Sequence, residues 1–232
     1  LGIRNDGHLT LLPPSGWLAL CFGLALQASA QSLPDESIPI LRPELLEFVC
    51  PERDEEILTS VAPPTAAEEA WLARREAFRA VLPAFLARVP AEPPDVLWMP
   101  VQGIRVSQIA DTWHAPRGNR LHEGQDVFAP RGTAVLAATD GIVYEVSDRF
   151  TGGRGVMLLG PGAVRTFYTH LDSYAEGIRE GMWIEARSII GFVGDDGNAA
   201  GTPPHLHFGV YAFDPETCRL KAYDPLPLLH DW

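Results

Sequence analysis

From Val96 onward the chain is interrupted every few residues by a turn signal, and that rhythm decides what it can fold into. Thr133–Ala138 and Ile142–Ser147 are apolar runs flanking Asp140-Gly141, the dipeptide of a two-residue type I′ hairpin. Gly152-Gly153, Gly160-Pro161-Gly162, Gly177, Gly181, Gly191, Gly194 and Gly197 separate further short runs. Val156–Leu159, Thr166–His170, Met182–Ile184, Ile189–Val193 and His205–Tyr211 read as strands. Segments this short and this closely spaced predict a mainly β fold, a compact antiparallel sheet domain over 96–232. Glycine and proline, 21 of each in 232 residues, suit a turn-rich β protein and disfavour a helical bundle.

The first 95 residues have a different texture. Residues 1–30 read as a signal peptide: Trp17–Leu26 is an apolar run of ten, and Ala28-Ser29-Ala30 fits cleavage after Ala30. Ten residues fall well short of the about 20 that cross a bilayer, so no stable membrane insertion is expected after cleavage. An uncleaved anchor and a buried helix are the competing readings. Export places the mature chain in the periplasm or the extracellular envelope. It also leaves Cys50 and Cys218 in an oxidising compartment, either paired or as two thiols. Residues 31–95 form a Pro-rich extension and linker with a short helix expected at Pro43–Val49. Thr65-Ala66-Ala67-Glu68 is a capping box. Behind it Trp71, Phe78, Leu82, Phe85 and Val89, at spacings of seven, four, three and four, form one apolar helix face. Pro83 is expected to kink this N-terminal α-helical extension. Its stripe suits packing on the β domain as a buttress; an inhibitory cover over a groove, or a surface for a regulatory protein partner, are the alternatives. With 30 acidic against 18 basic residues the net charge is −12, which excludes a basic nucleic-acid footprint.

The chemistry-bearing residues fall into three groups. His122 and Asp126 are four apart around Gly124, which leaves room for a close backbone approach. An even spacing in extended chain aims both side chains one way. Tyr168-Thr169-His170 ends a strand, and His205-Leu206-His207 lies inside one, where residues two apart share a face. Three protein ligands plus one water is the plan of a catalytic zinc site. His122, Asp126 and one histidine of the His205/His207 pair supply such a set, leaving His170 and the other histidine for acid–base work. Each group alone is common in β proteins without a metal; their coincidence on one scaffold carries the argument. His114 and His230 lack a partner pattern and read as structural, and His8 lies in the signal.

At these residues the chain resembles the lysostaphin-like, LytM-type zinc endopeptidases that cut peptidoglycan peptides. The likeness runs from about Trp113 to Leu229. It comprises His122-x-Gly124-x-Asp126, Ala129-Pro130-x-Gly132-Thr133-x-Val135-x-Ala137 and Gly141-x-Val143. Tyr168-x-His170-Leu171 and Ile190-Gly191-x-Val193-Gly194 follow, and Gly197-Asn198-Ala199 leads to Gly201-Thr202-Pro203-Pro204-His205-Leu206-His207-Phe208. Ala186-Arg187-Ser188 departs from the family's usual glycine, and Glu123 and Gln125 stand at variable positions. The resemblance implies one Zn2+ held by His122, Asp126 and His207, with His170 and His205 acting on the water and the transition state. It implies peptide-bond hydrolysis by attack of zinc-bound water, with peptidoglycan stem peptides or cross-links as substrate. The alternative is a non-catalytic envelope protein of the same fold that activates a cell-wall amidase. Arg117 and Arg120, beside the first motif, are candidates to offset the acidic surface where carboxylated peptides enter; the alternative is that both are solvated surface residues.

Overall fold

A computed structural model describes residues 69, 73, 76, 77, 80–85, 87–214, 217 and 219–232. The expected signal peptide, the Pro43–Val49 helix, the capping box, Trp71, Phe78, Cys50 and Cys218 lie outside the described residues.

Fourteen strands are present among the described residues. They are β1 (Leu97–Trp98), β2 (Pro116–Arg117), β3 (Arg120–Leu121), β4 (Gln125–Phe128), β5 (Ala134–Leu136), β6 (Gly141–Phe150) and β7 (Gly153–Leu159). There follow β8 (Arg165–Thr169), β9 (Leu171–Tyr174), β10 (Trp183–Ile184), β11 (Ile189–Val193), β12 (His205–Asp214), β13 (Arg219–Tyr223) and β14 (Leu229–His230). The main sheet runs β10-β6-β7-β8-β12-β13, with β4 also paired to β12, and every pairing in it is antiparallel. A second, three-stranded sheet has the order β5-β11-β9. The mainly antiparallel β fold expected from the turn rhythm is what forms.

Strand β12 organises the molecule. Its first half is flanked by β4 and β8, and its second half by β8 and β13. Alternation along it sends Leu206, Phe208, Val210 and Ala212 into the core, where they meet Val127, Val156 and Tyr168 of the same sheet. Val135, Ile190, Val193 and Leu171 of the smaller sheet close the same core. Burying an aliphatic or aromatic side chain of this size contributes about 1.5–3 kcal/mol, so one face of β12 is committed to packing. The opposite face, with His205, His207 and Tyr211, is left to line a groove.

Asp140-Gly141 does not make the expected hairpin. β5 pairs with β11, whereas β6 pairs with β7 and β10, so the flanking strands belong to different sheets. Gly141 also lacks the positive φ that a type I′ turn requires. A Cβ there would stand 2.7 Å from the Leu159 carbonyl oxygen, so the glycine serves a close strand approach instead.

Residues 80–85 are helical, on both sides of Pro83. Leu82, Phe85 and Val89 of the expected stripe pack with Ile142, Leu159, Ala163 and Trp183 in a small second cluster, the Phe85 and Trp183 rings 5.5 Å apart. No helix among the described residues is long and apolar enough to cross a membrane.

Candidate active site

Register brings the three candidate ligands together. His207 on β12 faces Asp126 on β4 as its direct antiparallel partner and Thr169 on β8 as its other neighbour. His122 lies just beyond β3, its backbone N–H donating to Ala115 O at 3.0 Å and its carbonyl accepting from His114 N at 2.9 Å. These bonds tie it to the β2–β3 hairpin. His122 Nε2, Asp126 Oδ1 and His207 Nδ1 then form a triangle with sides of 2.8, 3.1 and 3.3 Å.

A tetrahedral zinc with ligands at about 2.0–2.2 Å holds them roughly 3.3 Å apart, so the triangle has the size that such an ion needs. The donor chemistry agrees. His122 Nδ1 is 2.8 Å from the Thr112 carbonyl, which can only accept, so the neutral ring carries its proton there. Nε2 therefore points a lone pair at the Asp126 carboxylate. That juxtaposition is unfavourable unless a cation lies between the groups. Among the described residues, His122, Asp126 and His207 are the cluster able to hold a metal ion. Burial opposes ionisation of Asp126, but in the metal-free site at low pH, where His122 and His207 are protonated, their hydrogen bonds and charge outweigh burial and hold its carboxyl well below the usual carboxylate range.

The other two histidines take up fixed orientations beside the triangle. His170 Nδ1 lies 3.0 Å from Gly152 O and 2.8 Å from Asp196 O. His205 Nδ1 lies 2.8 Å from Pro203 O. Carbonyl partners require both Nδ1 atoms to donate, which leaves each Nε2 with a lone pair. His205 Nε2 is 3.8 Å from Asp126 Oδ1, and the His170 and His205 rings are 4.9 Å apart. Burial lowers the pKa of His170 and of His207, keeping both neutral near pH 7.

His170 reaches the groove by an unexpected route. Two-residue spacing would put it on the face of Tyr168, which is fully buried with its hydroxyl accepting from Ala138 N–H at 2.9 Å. The strand instead stops at Thr169, and His170 has φ +65°, which turns its ring away from the core. The loop that receives it carries Gly197, at φ +66°, where a Cβ would be 2.1 Å from Gly153 N. Only glycine lets this loop bring the Asp196 carbonyl against the imidazole.

Four contributing residues were not singled out in the sequence. Gln125, taken as variable, is fully buried: its Oε1 accepts from Thr112 N–H at 2.9 Å, and its Nε2 donates to Asp111 Oδ1 at 2.8 Å and Asp224 Oδ1 at 3.0 Å. Thr112 in turn accepts from His122 at its carbonyl and from Asp126 N–H at Oγ1, the latter at 2.9 Å. Phe150 and Phe167, at 4.8 Å and edge to face, form an aromatic wall. An amide on the core-facing side of β4's alternation was the available signal for Gln125. His114 stacks on Trp113 and His230 pairs in β14; neither lines the groove.

The cleft holding these groups has a volume of about 420 Å³ and is bordered by Arg117, Arg120, Phe150, Phe167 and Tyr211. A closed structural zinc site would take its fourth ligand from the protein; here three candidate ligands face a cleft, a layout compatible with a metallohydrolase.

Comparison with known proteins sharpens that class. Residues 120–221 match the model of peptidase family M23. An L-Ala--D-Glu endopeptidase of Bacillus subtilis is 33% identical over 129 residues, covering 52% of this chain and 39% of the relative. The peptidoglycan DD-endopeptidase ShyC of Vibrio cholerae is 33% identical over 89 residues, covering 38% of this chain and 20% of the relative. The solved structure of a Ruminococcus gnavus protein assigned as a glycyl-glycine endopeptidase lytM shares the fold. It has a TM-score of 0.51 at 21% identity, covering 87% of this chain and 94% of that one. Residues 120–221 thus form a peptidase family M23 domain, and its His122, Asp126 and His207 are able to hold a metal ion. The chain spans 39% and 20% of the length of the two curated relatives.

Proposed function

We propose that this chain is a zinc-dependent endopeptidase that acts outside the cytoplasm, after export, on stem peptides or cross-links of peptidoglycan. One observation carries the reading: the His122–Asp126–His207 triangle shares its groove with two histidines whose free Nε2 atoms are fixed by backbone carbonyls. The names of the two curated relatives, an L-Ala--D-Glu endopeptidase and a peptidoglycan DD-endopeptidase, support the choice of substrate.

In this mechanism His122, Asp126 and His207 hold the ion. Bound there, zinc supplies a Lewis acid and lowers the pKa of water to about 7. The Nε2 of His170 or of His205 takes a proton from the attacking water and returns it to the departing amine. The second imidazole takes a proton at Nε2 from solvent in the open groove and in that form would donate to the oxyanion that forms on the scissile carbonyl. Because each Nδ1–H is already tied to a carbonyl, neither ring has to reorient before reaction. Phe150 and Phe167 keep one side of the groove apolar and exclude water there.

Mass analysis of fragments released from purified cell walls and defined muropeptides, with metal content measured in parallel, tests this. Wild-type protein is expected to hold one zinc and to release peptide-cleaved fragments in a chelator-sensitive way. His207→Ala is expected to lose the zinc, and His205→Ala to keep it while losing cleavage. A metal-free protein that leaves walls intact and stimulates a separate amidase would overturn the proposal.

A further inference from the structure

The β2–β3 hairpin at the groove rim breaks a rule of strand pairing. Arg117 and Arg120 stand directly opposite one another in its two-residue register. Like charges in that position destabilise a pair of strands, and a ribbon this short has little else to hold it. Among the described residues only one of the two guanidiniums has an acidic partner: Arg117 Nη2 donates to Asp126 Oδ2 at 2.5 Å. Among the described residues no carboxylate makes an ion pair with Arg120. Arg120 lies two residues before His122 and borders the same groove, beside Tyr211. The chain as a whole carries −12 and Glu123 borders the same groove, so a cation without an ion pair at this edge is set against the general sign of its surroundings.

We infer that Arg120 is a specificity-determining residue that takes a carboxylate of the peptide lying in the groove. A guanidinium presents a planar pair of N–H donors matched to the two oxygens of a carboxylate. Asp126 cannot serve Arg120, because its outer oxygen is held by Arg117 and its inner one faces the two imidazoles. A carboxylated substrate therefore supplies what the protein withholds, and its arrival removes the repulsion across the hairpin. This inference rests on the peptidase reading for its substrate, and names the feature of that substrate which the groove selects.

The test uses synthetic stem-type tetrapeptides with free carboxylates and the same peptides with each carboxylate converted in turn to the carboxamide. Binding to the zinc-loaded protein is measured by calorimetry and cleavage by chromatography. One acid peptide is expected to bind about tenfold more tightly than its amide, the preference weakening as salt is raised. In Arg120→Gln that ratio is expected to fall to about one, while Arg120→Lys retains part of it because the charge remains but the fork does not. Zinc content of each variant confirms that the site is intact. A wild-type protein that does not distinguish any acid from its amide, or an Arg120→Gln variant that keeps the preference, would overturn the inference. Tight, selective binding without cleavage would instead count against the peptidase reading alone.

Discussion

Gly124 lies against the imidazole of His207: a Cβ on Gly124 would stand 2.7 Å from His207 Cε1 and 2.9 Å from Nε2. The same Cβ would be 2.7 Å from the Phe208 carbonyl oxygen, which is backbone and cannot yield. The glycine between the two first-motif ligands is thus the space into which the third ligand's ring fits. Gly124→Ala is expected to push His207 off the triangle and to weaken zinc binding at least tenfold, with the sheet still formed. Competition with a chromophoric chelator reads the affinity. An alanine variant with wild-type affinity would show that the ring can move without cost.

Arg117 acts on the same triangle from outside. By holding Asp126 Oδ2 it leaves Oδ1 as the oxygen turned toward His122 and His207. A carboxylate free to rotate could present both oxygens to the ion and fill the corner needed for water. Arg117→Gln is expected to lower zinc affinity by about 10-fold to 100-fold, as loss of an orienting partner does. In cobalt-substituted protein the variant's visible spectrum is expected to shift toward five-coordination, which a purely structural loss would not produce. An unchanged spectrum and affinity would remove Arg117 from the site.

The pH dependence of the metal-free protein has a definite sign. Burial lowers the folded pKa of His170 and His207, so below the unfolded value of about 6.5 the unfolded chain binds more protons. Their contribution is therefore complete above about pH 6.5 and is lost as pH falls below it. For Asp126 burial pushes the carboxyl upward, but the His122 and His207 imidazoles win and hold it low. Its stabilisation is present above its unfolded value of about 3.9 and is lost below it. The urea midpoint of chelator-treated protein is expected to rise from pH 5 to 7.5, with a shallower rise in His170→Asn. A midpoint that falls over that range would contradict the assignment of neutral, buried imidazoles.

Much of the site was legible because strands translate spacing into geometry. His205 and His207 share a face of β12 as residues two apart must, and His122 with Asp126 was readable as one convergent pair. Spacing could not choose between His205 and His207 as a ligand, since both reach the groove; the cross-strand register of His207 with Asp126 supports the proposal of His207. Gln125 was missed because partners at Asp111, Thr112 and Asp224 are brought to it only by tertiary folding. Asp140-Gly141 misled for a related reason. Glycine signals either a turn or a close approach, and only the neighbouring Leu159 carbonyl decides which.

His170 offers a way to separate strain from chemistry. At φ +65° a residue other than glycine or asparagine carries roughly 1–2 kcal/mol of steric cost, and here the loop bonds from Gly152 O and Asp196 O hold the ring in place. His170→Asn accepts that backbone and can still donate an N–H to either carbonyl, but it has no counterpart of Nε2. It is expected to bind zinc within about twofold of wild type, to unfold at an equal or higher urea concentration, and to cleave at least about 100-fold more slowly. His170→Ala loses the same base, keeps the steric cost and gives up the bonds to Gly152 O and Asp196 O, so it is expected to be the less stable of the two. Equal stability of the two variants would show that the turn at His170 is unstrained. Near-normal cleavage by His170→Asn would assign the acid–base work to His205 alone.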